Sequence, residues 1–107
     1  MDITIYGLTN CDTCRKARKA LPHAIFRDIR TDPLDAAGRA AFLQAFGDKL
    51  VNRASTTWRN LPEAGRAQAP DDLLAAHPAL MKRPVIRSGD ALHLGWSADV
   101  RRALGAE

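Results

Sequence analysis

Cysteine is scarce in this sequence: there are two among 107 residues, Cys11 and Cys14, three positions apart. A disulfide between them would close almost no loop, so it cannot staple a fold by restricting the unfolded chain. One Cys-x-x-Cys supplies two ligands where a structural zinc takes four. His23, His77 and His93 offer no second pair at metal spacing, so no metal site is expected. Aromatic residues are also few, with two Trp, one Tyr and three Phe. None interleaves with the densest basic cluster, Arg15, Lys16, Arg18 and Lys19, and a stacking platform for single-stranded nucleic acid is therefore lacking. No apolar run approaches the ~20 residues that span a bilayer, and no membrane contact is expected. The opening Met1-Asp2-Ile3-Thr4-Ile5-Tyr6 has neither the basic start nor the apolar stretch of a secretory signal, so a cytoplasmic location is expected.

What is present is ordinary in bulk. The chain is 46% hydrophobic and 26% charged, and its length suits one domain, here 1–107, whose single core needs no staple. The net charge of +4 is dispersed. It suits small anions, such as the carboxylates of glutathione, better than a polyanion, and no direct nucleic-acid contact is expected.

Along the chain, Ile3 to Tyr6 is a short β-rich run ended by Gly7, which predicts a first strand. Thr9-Asn10-Cys11-Asp12 offers loop and cap residues before a helical stretch through Leu21, stopped by Pro22. Cys14, Ala17 and Leu21 share one face of that helix and the basic residues occupy the others. Ala24 to Ile29 reads as a second strand, and strand–helix–strand in so short a span predicts parallel neighbours. Ala36 to Phe46, with Phe42, Leu43 and Phe46 on one face, predicts a helix ending at Gly47. Ser55 to Leu61 predicts another, with Trp58 turned inward, and Asp71 to Ala76 a further short one. Pro84 to Arg87, the turn Ser88-Gly89-Asp90 and Ala91 to Leu94 have the pattern of a hairpin. Ser97 caps a last helix running to Leu104.

Two cysteines in a polar loop between a strand and a helix suggest chemistry rather than architecture. A thiol attacks as its thiolate, and a free cysteine near pKa ~8.5 is mostly protonated at neutral pH. Cys11, where the helix begins, meets unpaired N–H groups and the positive end of the helix dipole. Arg15, one turn on, adds positive charge, and Cys14 can donate its S–H. Asp12 opposes the shift unless its side chain caps the helix. Cys14, on the inward face, also reads as a small core residue.

Three stretches carry a resemblance. Tyr6-Gly7-Leu8-Thr9-Asn10-Cys11-Asp12-Thr13-Cys14-Arg15-Lys16-Ala17, then Leu50-Val51-Asn52-Arg53-Ala54-Ser55-Thr56-Thr57-Trp58-Arg59-Asn60-Leu61, then Leu80-Met81-Lys82-Arg83-Pro84-Val85 resemble the glutaredoxin-coupled arsenate reductase family, in its short YffB-like and Spx-like branch. The resemblance implies an α/β thioredoxin-like fold, βαβ then ββα on a mixed sheet, with a helical insertion in the middle. It implies Cys11 as nucleophile, Cys14 as resolving thiol and Arg83 as their catalytic partner. It implies Arg59 and Arg83 as the pair that holds an oxyanion and Pro84 as a cis-proline facing the cysteine loop; Asn10, Thr13 and Arg15, which flank Cys11, are the other expected substrate-binding residues. Arginine suits an oxyanion or carboxylate because its planar fork stays charged. No tightly bound cofactor is implied. The expected function is thiol–disulfide reduction, with glutathione or another small anionic thiol as co-substrate and glutaredoxin as a partner. The alternative is an Spx-like redox-sensing regulator that binds the RNA polymerase alpha subunit. In true arsenate reductases a third arginine falls where this chain has Leu94-Gly95-Trp96-Ser97, with Trp96 at the matching place. A lost charge-assisted hydrogen bond costs roughly 1.5–3 kcal/mol, so arsenate reduction is not the expected natural activity.

Overall fold

Ile3–Gly7 forms β1, and its burial explains its place: Ile5 and Tyr6 point to opposite faces, yet both are buried. A strand covered on both sides belongs in the middle of a sheet. In the computed structural model, which describes residues 2–106, the four strands are ordered β2-β1-β3-β4. Here β2 is Ile25–Asp28, β3 is Val85–Ser88 and β4 is Ala91–Leu94. β1 pairs with β2 in parallel, with Ile5 opposite Phe26, and antiparallel with β3, with Ile5 opposite Ile86. β3 and β4 form the expected hairpin, with Val85 opposite Leu94. The parallel pair is joined by helix α1, Asp12–Ala20, and the last helix of the chain, Ala98–Ala103, follows the hairpin. This is the mixed sheet of a thioredoxin-like fold.

The chain divides into two compact units, one built from residues 1–29 with 83–107 and the other from residues 30–82. In the sheet unit, Ile5, Ala17, Ile86 and Val100 form the core. Ile3, Leu21, Ala24, Phe26, Trp96 and Leu104 pack against it half-buried. The predicted inward face of α1 is therefore the observed one. On the other face of the sheet, the guanidinium carbons of Arg27 and Arg87 lie 5.8 and 5.9 Å from the centre of the Tyr6 ring. The Ser97 hydroxyl accepts from the Val100 N–H at 3.3 Å, capping the last helix as predicted.

The unit of residues 30–82 is helical. Helix α2, Ala36–Phe46, has the predicted bounds: Asp35 caps it by accepting from the Gly38 N–H at 2.8 Å, and Gly47, at φ 61°, ends it. A 3-10 turn, Gly47–Leu50, follows. Helix α3, Thr56–Arg59, is shorter than the predicted 55–61, because Ser55 caps it and the carbonyls of Thr56 and Trp58 close it at Asn60. Helix α4, Glu63–Arg66, was not predicted. Helix α5, Pro70–Ala76, begins one residue before the predicted start, with proline in the first turn where no N–H is needed. Phe42, Leu50, Leu73 and Leu80 are fully buried, and Arg39 on α2 joins Asp71 on α5 at 2.8 Å. Val51 and Met81 form an antiparallel bridge that closes the unit. Trp58 is not inward in the sense expected. It is half-buried, with the guanidinium carbons of Arg53 and Arg66 5.1 and 5.9 Å from its ring centre. The final helix, Ala98–Ala103, is α6. Among the described residues, no helix is long and apolar enough to cross a membrane.

Candidate active site

Cys11 is the N-cap of α1. Its backbone is extended, at φ −102° and ψ 121°, while its carbonyl already accepts the first helical bond, from the Arg15 N–H at 3.0 Å. That geometry turns its side chain toward the open end of the helix, where a serine or aspartate oxygen more often sits. Burial disfavours charge on the half-exposed sulfur. Four interactions work against burial: the Cys14 N–H, the Cys14 S–H, a hydrogen bond from Arg83 and the Arg83 charge. Together they bring the thiol below its ordinary value.

Cys14 is the opposite case. It is fully buried among the residues beneath α1, and loss of water pushes its thiol up to about 11. The Leu8 N–H and the Arg83 charge lower it, whereas its hydrogen bond to Cys11 and the charge there raise it. Both cysteines are free thiols in this structure. The pair is thus unequal: the outer sulfur ionises first and the inner one supplies the proton that the outer one shares.

Arg83 stands immediately before Pro84, and the bond between them is cis. Pro84 is buried, and its carbonyl accepts from the Gly95 N–H at 2.8 Å. Because Tyr6 pairs with Val85, the end of β1 that leads to the cysteine loop lies beside the start of β3. The antiparallel pairing is therefore what delivers Arg83 to the sulfur. Arg15 behaves differently from expectation. It donates from Nη1 to Asp12 at 2.9 Å and from Nε to the Thr9 carbonyl at 3.2 Å, bracing the loop around Cys11. Asp12 is thereby occupied by Arg15 rather than capping the helix. Asn10 is exposed in the turn before Cys11, and Thr13 is half-buried in the first helical turn.

Arg59 lies in the helical unit, exposed at the end of α3. It donates to the Ala54 carbonyl at 3.2 Å and to the Thr56 hydroxyl at 3.3 Å. Arg66 reaches back to the Trp58 and Arg59 carbonyls at 3.3 and 2.9 Å and so satisfies the end of the same helix. Arg53 is held by Asp48 through two bonds of 2.8 Å. Trp96, which the resemblance sets at the place of a third arginine, packs against the core of the sheet unit. One residue of the site escaped the sequence reading. A β-carbon on Gly7 would lie 2.4 Å from the Cys14 sulfur, and only the glycine between a strand and the cysteine loop hinted at so close an approach.

Comparison with known proteins agrees with this architecture. The model of the ArsC family matches residues 6–104. An uncharacterised protein of Haemophilus influenzae is 44% identical over 100 residues, which cover 84% of this chain and 88% of that protein. The global transcriptional regulator Spx 2 of Lactococcus lactis is 30% identical over 112 residues, covering 94% of this chain and 84% of the regulator. The solved structure of a YffB protein superposes with a TM-score of 0.85 at 31% identity, covering 94% of this chain and 96% of that one.

Proposed function

Because this chain belongs to the ArsC family, among its YffB-like and Spx-like members, we propose that it is a thiol-dependent reductase of disulfides or glutathione-linked substrates. The observation that carries this reading is the acidic Cys11 thiol at the helix start, facing the Cys14 N–H, the Cys14 S–H and Arg83. The Cys11 thiolate attacks one sulfur of a substrate disulfide. The new Cys11–substrate bond forms as the old S–S bond breaks, and the leaving sulfur departs as a thiolate that takes a proton from water. Cys14 then loses its proton and attacks the Cys11 sulfur. The second substrate thiolate is released and a Cys11–Cys14 disulfide remains. Two electrons pass from the cysteines to the substrate, and two molecules of glutathione, or a glutaredoxin dithiol, return them. Arg83 steadies the anionic sulfur and the carboxylates of a substrate such as glutathione. Asn10, Thr13 and Pro84 serve in this reading as substrate contacts, Arg15 holds the loop before Cys11, and Arg59 is an anion contact of its own unit. The test is reduction of a glutathione mixed disulfide by wild type and by Cys11→Ser. The serine variant is expected to be inactive, and full activity in it would remove the mechanism.

The likeness to Spx supports a second reading, in which the same disulfide is a switch and the chain docks on the RNA polymerase alpha subunit. Capture of that subunit by only one redox form of the protein would favour the regulator. Absence of capture by both forms, with turnover in the first assay, would leave the reductase.

A further inference from the structure

The Cys14 sulfur occupies space that any residue but glycine would fill at position 7. A β-carbon there would stand 2.4 Å from that sulfur and 3.3 Å from the Cys14 β-carbon, with the nearest Phe26 ring carbon at 3.6 Å. The first distance is far inside van der Waals contact, so either the sulfur or the strand would have to move. The strand is fixed. Gly7 is the last residue of β1 and pairs with Asp28 of β2, and its carbonyl accepts from the Ile29 N–H at 3.0 Å. The sulfur is the part that yields, because it ends a side chain with one rotatable bond.

We infer that Gly7 is a positioning residue, whose missing side chain seats the Cys14 sulfur against the end of β1 so that its S–H meets the sulfur of Cys11. Two neighbours fix the direction of that hydrogen bond. The Leu8 N–H faces the Cys14 sulfur and the Cys11 sulfur receives the Cys14 proton, so donation runs from the backbone to the inner sulfur and from the inner to the outer. Gly7 acts through Cys14, and its role rests on the reading of Cys11 as the nucleophile.

The test is the pH profile of Cys11 alkylation by iodoacetamide, resolved from Cys14 by peptide mass spectrometry. It is run on wild type, Gly7→Ala, Cys14→Ala and the double variant. Gly7→Ala and Cys14→Ala are each expected to move the profile toward alkaline pH. A shift of one pH unit reads as about a tenfold slower reaction near neutrality. In the double variant the alanine at position 7 is expected to add nothing to the Cys14→Ala effect, because no sulfur remains for it to strike. An unchanged profile in Gly7→Ala would overturn the inference while leaving an acidic wild-type Cys11 intact. A wild-type profile at the ordinary cysteine value would instead sink the reductase reading. If Gly7→Ala does not fold, refolding of the double variant supports the contact with sulfur. Failure of both variants to fold assigns Gly7 to the strand alone and overturns the inference.

Discussion

Arg83 donates a hydrogen bond to the Cys11 sulfur and sets its charge beside it, although the two residues belong to different elements, the lead into β3 and the cap of α1. Arg83→Ala is expected to raise the Cys11 pKa and to slow its alkylation at neutral pH by roughly tenfold, since hydrogen bonds to charged groups contribute about 1.5–3 kcal/mol. Arg83→Lys should fall between, keeping the charge and losing the fork of donors. Superimposable pH–rate profiles for the three proteins would show that the helix end and Cys14 suffice.

Helix propensity played little part in locating the site; placement of one sulfur after a strand did most of it. Cys11 and Cys14 were legible as chemistry-bearing residues, because a thiol at a helix start is a local signal; Arg83 and Pro84 joined them only through the family resemblance, since no local pattern ties that step to a sulfur some seventy residues earlier. The bounds of α2 could be read because Phe42, Leu43 and Phe46 share one face and Gly47 marks the end; the Asp35 cap was seen only in the structure. Helix α4 could not: four residues are too few to display a period, and what holds them is Arg66 binding the carbonyls of Trp58 and Arg59, a relation between segments. Trp58 misled for a related reason. An indole suggests a core, and here two guanidinium groups flank its ring instead. The direction of Arg15 was equally hidden, since Asp12 and the Thr9 carbonyl compete for a charge that spacing alone assigned to Cys11.

Alkaline pH should expose the inner thiol. Cys14 ionises at about 11 in the fold, well above an exposed thiol, so folding favours its neutral form. Its contribution is complete below the ordinary value and is lost as pH rises through the folded one, with a size on the order of 2–3 kcal/mol. Cys11 has the reverse sign: its contribution is present above the ordinary value and is lost as pH falls through its lowered one. Urea midpoints for wild type and Cys14→Ala, followed from about pH 8 to about pH 11, should therefore converge as pH rises. Parallel curves would mean that the buried sulfur titrates like an exposed one.

Trp96→Arg places an arginine where the family resemblance implies a third one in arsenate reductases. Trp96 packs half-buried on the cluster of Ile5, Ala17, Ile86 and Val100. The exchange is expected to destabilise the sheet unit by about 1–3 kcal/mol, a fall in Tm of roughly 4–8 °C for each kcal/mol. Thermal melting followed by tryptophan fluorescence and far-UV circular dichroism measures it. An unchanged Tm would show that the indole contributes little to the core and that the position is free to carry charge.

The sheet unit is assembled from the two ends of the sequence, residues 1–29 and 83–107, with the helical unit between them in the chain. On the ribosome, β1, α1 and β2 are made early, but the strand that pairs with β1 on its other side, and the guanidinium just before it, are made after fifty-odd further residues, about half the protein. Until then the outer sulfur has its helix and its inner neighbour but no cationic partner. The last of the interactions that lower the Cys11 thiol thus joins it late in synthesis, when the surrounding sheet is complete.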